Sequence, residues 1–161
     1  MEGLFVCPHE RFPMKNFIRL SLVLAVLALS SPAYAVDVPR TPTAVPMGKD
    51  TVVFTWTGLD GDDTGIPVET SQCRDLSVHI YSGTYGGSTI TLEGSNDPLA
   101  APTTSTYNTT AEWAGLAEPG GTAISKVADA FEQVQDHPRF FRPKTASGTG
   151  ADIAVGLVCR K

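Results

Sequence analysis

Hydrophobic and polar positions alternate most regularly over Leu76 to Asp97, LSVHIYSGTYGGSTITLEGSND. Leu76, Val78 and Ile80 fall on one face of an extended chain, and Ser77, His79 and Tyr81 on the other. Ile90 and Leu92 alternate in the same way with Thr89, Thr91 and Glu93. A period of two with one apolar face predicts half-buried strands. Gly83, Gly86 and Gly87 mark the reversal between them, in a loop longer than the tightest hairpin allows. The pattern therefore predicts a strand pair joined by a glycine turn, from which a sheet begins.

Further strands are predicted on either side. Thr51 to Thr57 sets Val52, Phe54 and Trp56 against Val53, Thr55 and Thr57, with Trp56 a core anchor at the edge of the sheet. Ile66 to Thr70 is a short extended piece, and Ala111 to Leu116 a short strand carrying Trp113. A strand begins within His137 to Pro143. Pro138 and Pro143 bracket it, so it is expected to be short or at an edge. Lys144 to Gly150 reads as a turn. The last strand, Ala151 to Arg160, turns Ile153, Val155, Leu157 and Cys159 inward. One segment breaks the period: Ile124, Val127, Phe131 and Val134 recur at helical spacing. A short amphipathic helix over about 124–134 is predicted, against a competing extended crossing between sheets. Six or seven short strands with glycine turns and at most that one helix predict a mostly β fold, an antiparallel β-sandwich or jelly roll.

The first 46 residues are patterned differently. Within the leader 1–35, the segment 14–35 has a basic start at Lys15 and Arg19 and a ten-residue apolar run, Leu20 to Leu29. The small residues Ala33 and Ala35 follow, which completes a secretory signal pattern. The apolar run is short for a bilayer span, so membrane contact is expected only through this cleavable segment. Residues 36–46, VDVPRTPTAVP, hold three prolines and read as a linker; the sandwich domain is assigned to 47–161. Met47 offers a second possible start. A start there implies a product that stays with a virion, and a working signal implies a periplasmic or secreted one.

Composition narrows the function classes. The net charge is −5 and no basic run exceeds two residues, so no nucleic-acid partner is expected. After signal removal two cysteines remain, Cys73 and Cys159. They could close a disulfide loop of over eighty residues in an exported protein. They could also be buried thiols, a reading favoured by the inward alternation of Cys159.

Candidate chemistry is sparse. Asp60, Asp62, Thr64 and Gly65 match the start of a calcium loop, but Ser71 stands where a bidentate Glu is needed, so a solvated Asp-Gly turn is expected and no metal. His79 has no second His at ligand spacing and no base or acid beside it in sequence. Ser88 follows Gly86-Gly87 in a turn, not in a nucleophile elbow. No catalytic residue, cofactor or defined binding residue emerges, and a non-enzyme is expected.

The order GTYGGSTITLEGSND, a Trp in AEWAGL, then PRFFRPKTASGTGADIAVGLVCR resembles a group of small tailed-phage virion proteins of β-sandwich type, over roughly Val52 to Lys161. That resemblance implies capsid decoration or a tail or neck accessory role. Its partners would be coat or tail subunits, or further copies of the chain in a homo-oligomer. The G-S-N-D pattern with a later Trp and aromatic-Arg strand is also similar, in part, to discoidin-type galactose-binding-like jelly rolls. That similarity implies an exported carbohydrate- or surface-binding module. Here Pro98 follows Asp97, and about fifteen residues separate Asp97 from Trp113. Ser95, Asn96 and Asp97 are expected to cap a turn, and Trp113 with Phe140 or Phe141 to fill the core.

Overall fold

The computed structural model describes residues 38–81, 83–102 and 108–161. The leader 1–35, its signal segment 14–35 and the first residues of the Pro-rich stretch lie outside the described residues. Among the described residues ten strands form: β1 Thr43–Pro46, β2 Thr51–Leu59, β3 Val68–Glu69, β4 Asp75–Tyr81, β5 Thr89–Ser95, β6 Ala114–Gly115, β7 Ser125–Lys126, β8 Ala130–Val134, β9 Phe140–Ala146 and β10 Ile153–Arg160. One sheet runs β1-β2-β10-β4-β8, and the other β3-β9-β5-β6 with β7 also on β5. Every pairing between these strands is antiparallel. The mostly β, two-sheet sandwich expected from the alternation is the observed fold.

The core lies between the sheets and follows the period of two. Trp56, Leu76, Val78, Ile80, Val155 and Leu157 come from one sheet, and Ile90, Leu92 and Phe141 from the other. Trp56 is fully buried, its Nε1 donates to the Ile66 carbonyl at 3.0 Å, and its ring lies 5.8 Å from that of Phe141. A buried indole stays only where its N–H finds an acceptor.

Several local expectations are corrected. β4 and β5 do not pair; they belong to different sheets, so residues 83–88 arch from one sheet to the other. The link between β9 and β10 arches in the same way, and the two arches bond through Thr84 and Ala151 and through Gly86 and Thr149. Gly148 has φ 93°, and a side chain there would sit 2.4 Å from the Ser88 nitrogen. Glycine is needed where the arches touch. Alternation within each strand is blind to whether neighbouring strands pair or stack.

The helix over 124–134 is replaced by β7 and β8. Ile124 and Val134 are buried, while Val127 and Phe131 are exposed, so the four never share a face. β7 bonds to one sheet and β8 to the other, which is the extended crossing that competed with the helix. Tertiary pairing overrides a weak helical preference here.

β9 runs through Pro143 and lies between β3 and β5 instead of at an edge. β3 pairs only as far as Phe141, so no strand partner is lost where Pro143 lacks an N–H. Trp56 sits on an interior strand, because β1 forms the edge beyond it. That strand comes from the stretch read as a linker, so the folded unit takes in residues upstream of Met47. Finally, Cys73 and Cys159 are joined by a disulfide, with Cα atoms 5.2 Å apart. The inward position of Cys159 was legible; the turn that brings Cys73 beside it was not.

Candidate functional site

Two constellations stand out, one built around Arg40 and one around a groove at Trp113. Arg40 lies in the Pro-rich stretch. Its Nε donates to Asp63 Oδ2 at 2.6 Å and its Nη2 to Asp60 Oδ2 at 3.0 Å. The Val38 N–H donates to the second Asp63 oxygen at 3.1 Å. The backbone is tied as well: Arg40 N–H donates to the Thr64 carbonyl and Ile66 N–H to the Arg40 carbonyl. Asp63 is 3% exposed, so its charge is nearly removed from water, and such a carboxylate requires partners.

The acidic loop is therefore organised by an arginine. Thr145 holds it from beneath, accepting from the Asp63 N–H at 2.8 Å and donating to the Asp60 carbonyl. Asp62 Oδ1 accepts from the Ser147 N–H at 3.1 Å. The carboxylates that partly matched a calcium loop are occupied by Arg40 and by backbone donors. Among the described residues, no three His, Cys, Asp or Glu side chains group as metal ligands.

The groove has a volume of about 720 Å³ and forms where β5 ends against β6 and the segment leading into β9. Its walls carry Asn96, Asp97, Glu112, Trp113, Asp136 and His137, and its floor includes Gly94, Leu116 and Pro138. A side chain at Gly94 would meet Leu116 at 2.5 Å and Pro138 at 2.7 Å, so glycine lets the floor close. The G-S-N-D turn is capped as expected. Ser95 Oγ accepts from the Asp97 N–H, and Asp97 accepts from Leu99 N–H at 2.9 Å and Glu112 N–H at 3.1 Å. Asn96 Oδ1 takes the Arg139 N–H at 2.8 Å, and Asp136 Oδ2 the Ala117 N–H at 2.8 Å.

Trp113 is half-buried at the groove wall. The Arg142 guanidinium stacks 3.8 Å from its ring centre, a cation–π contact. Arg142 is itself held by Glu93, at 2.6 Å from Nη2. The Trp113 Nε1 is buried with no acceptor among the described residues. Phe140 packs with Ala100, Ala111 and Trp113 in a small second cluster, while Phe141 joins the main core. Both phenylalanines thus fill the interior.

His79 is elsewhere, on the outer face of its sheet, with ring centres of Tyr81 at 4.6 Å and Phe131 at 6.1 Å. Ser88 Oγ accepts from the Gly150 N–H at 2.9 Å and belongs to the arch contact. The structure brings together the G-S-N-D turn, Trp113 and the aromatic-Arg strand, a juxtaposition that their order in the sequence did not predict. It leaves His79 and Ser88 apart from them and from each other. Sequence reasoning missed Arg40, Glu112, Asp136 and His137 as members of any site. A lone Arg among prolines facing an acidic loop was a usable signal; the others carry none. No protein-family model, no curated protein and no solved structure matches the chain.

Proposed function

We propose that this chain acts by binding, as a surface-exposed accessory part of a tailed-phage or prophage virion. The observation that carries the reading is the Cys73–Cys159 disulfide, in a sandwich whose aromatic and aliphatic side chains fill the space between two sheets. Disulfides persist on virion surfaces and in exported proteins and are rare in a reducing cytoplasm. A stapled sandwich presenting loops is suited to burying surface against coat or tail subunits.

Contact by extending a sheet edge is disfavoured. β8 is an edge strand, and Glu132 lies on its inward side, opposite buried Val78. An inward charge on an edge strand discourages pairing with another chain. β1, the opposite edge, ends at Pro46. Loops and the groove are the surfaces left for assembly.

A second reading, an exported carbohydrate- or surface-binding module, is favoured by the Arg40 contacts. The folded unit uses residues upstream of Met47, so a product starting there would lose part of its own structure. Density-purified particles from induced producing cells, probed beside a periplasmic extract, separate the two. The virion reading expects the chain in the particles at a fixed ratio to coat protein. Its absence from them, with full recovery in the periplasm, overturns that reading in favour of export.

A further inference from the structure

The groove at Trp113 differs from the rest of the surface in charge and in how its charged groups are held. Asp97, Glu112 and Asp136 line it, and among the described residues no Lys or Arg does. None of the ion pairs among the described residues involves those three carboxylates. The two nearby arginines, Arg139 just before β9 and Arg142 on it, are already paired, with Glu69 and Glu93 respectively. Asp97 and Asp136 are fixed by backbone N–H groups of Leu99, Glu112 and Ala117, so they are oriented before any ligand arrives. Trp113 adds an aromatic wall whose ring already stacks on Arg142, and its buried N–H has no acceptor among the described residues.

We propose that this groove docks a basic peptide segment of a partner protein, a lysine or arginine side chain lying against Trp113 between Asp97, Glu112 and Asp136. Charge complementarity selects this occupant. Three carboxylates that form no ion pair among the described residues favour a ligand that brings positive charge, and its aliphatic stem can pack on the exposed part of Trp113. A peptide also carries carbonyl acceptors, which a bare cation lacks. A neutral oligosaccharide would hydrogen-bond to the same carboxylates but leave their charge uncompensated. The inference rests on the reading that the chain works by binding, and it names the chemistry of the bound surface.

The test uses the protein purified as its producing cells make it. Three probes are titrated: a lysine- and arginine-rich decapeptide, a glutamate-rich decapeptide and a neutral hexasaccharide. Tryptophan emission and backbone amide NMR are the readouts. The basic peptide is expected to bind, with shifts confined to residues 94–97, 112–116 and 136–138, and to weaken as salt screens the charges. Glu112→Gln with Asp136→Asn is expected to reduce its affinity by about tenfold or more. The fold survives this pair, because the Glu112 side chain is exposed and an amide oxygen at 136 still accepts from Ala117. Asp50→Asn, an exposed acid outside the groove lining, is expected to leave binding unchanged. Equal binding by the groove variant overturns the inference, as does binding of the hexasaccharide alone or of none of the three. Particles that incorporate the groove variant normally would overturn it too, while leaving the assembly reading standing.

Discussion

At the scale of single residues, the fold turns on a few polar contacts as much as on its apolar core. Arg40 to Asp63 is the clearest. Removing the cation leaves a carboxylate that is 3% exposed without its ionic partner. Arg40→Ala is expected to lower stability by about 2–4 kcal/mol, read from urea midpoints at constant slope. Adding Asp63→Asn should recover part of the loss, because it removes the stranded charge. A double variant no more stable than Arg40→Ala would show that the pair is not what holds the loop. The lone Arg and the acidic loop were visible in the chain, but their pairing was missed because they lie 23 residues apart and the proline-rich surroundings read as linker. Trp56, Leu157 and Phe141 were legible, because burial follows from type and alternation alone. Trp113 was legible as a core-filling aromatic, but its place on a groove wall depends on Glu112 and Asp136, which look like ordinary surface acids.

At the scale of elements, two devices hold the strands against slippage. The disulfide ties β10 to the turn before β4 across a sequence separation of 86. In the chain-entropy account a loop of that length stabilises by about 4–5 kcal/mol, so reduction is expected to lower Tm by about 10–20 °C. Differential scanning calorimetry with and without reductant checks this; an unchanged Tm would contradict it. The second device is the Lys126–Glu132 pair, 2.5 Å apart, which links β7 to β8. The hydrogen bond from Lys126 holds the Glu132 carboxyl below its usual range, and the same bond holds the Lys126 ammonium above its own. The pair's contribution is therefore complete between the ordinary carboxylate and lysine ranges. It falls as pH drops through the lowered Glu132 value, and as pH rises through the raised Lys126 value. The Tm difference between the parent and Glu132→Gln is expected to be constant from about pH 5 to 9 and to shrink below about pH 4. A difference that grows in acid would contradict the assignment. This pair sits where a helix was expected. The spacing of Ile124, Val127, Phe131 and Val134 mimics helical periodicity, yet two of the four face water. Only the partners on β4 and β5 decide the matter, and no local pattern encodes them.

At the scale of the whole molecule, two sheets are joined by a pair of arches that hydrogen-bond to each other. One sheet's edges carry a buried-side charge at β8 and a proline at β1, and the other's, β3 and β6, are two residues long; each feature discourages edge-to-edge pairing. Sandwich architecture was legible from strand count and glycine turns; the assignment of each strand to a sheet was not, because hairpins and arches share the same turn residues. The frame takes in residues 38–46, which contribute Arg40 and β1. The fold is thus a domain stapled by Cys73–Cys159 that needs those residues. Intact mass of the native, unreduced protein tests it most directly. The expected result is a chain that retains residues 38–46 and is lighter by two hydrogens than its reduced form. A chain that begins at Met47, or one with both thiols free, would contradict it.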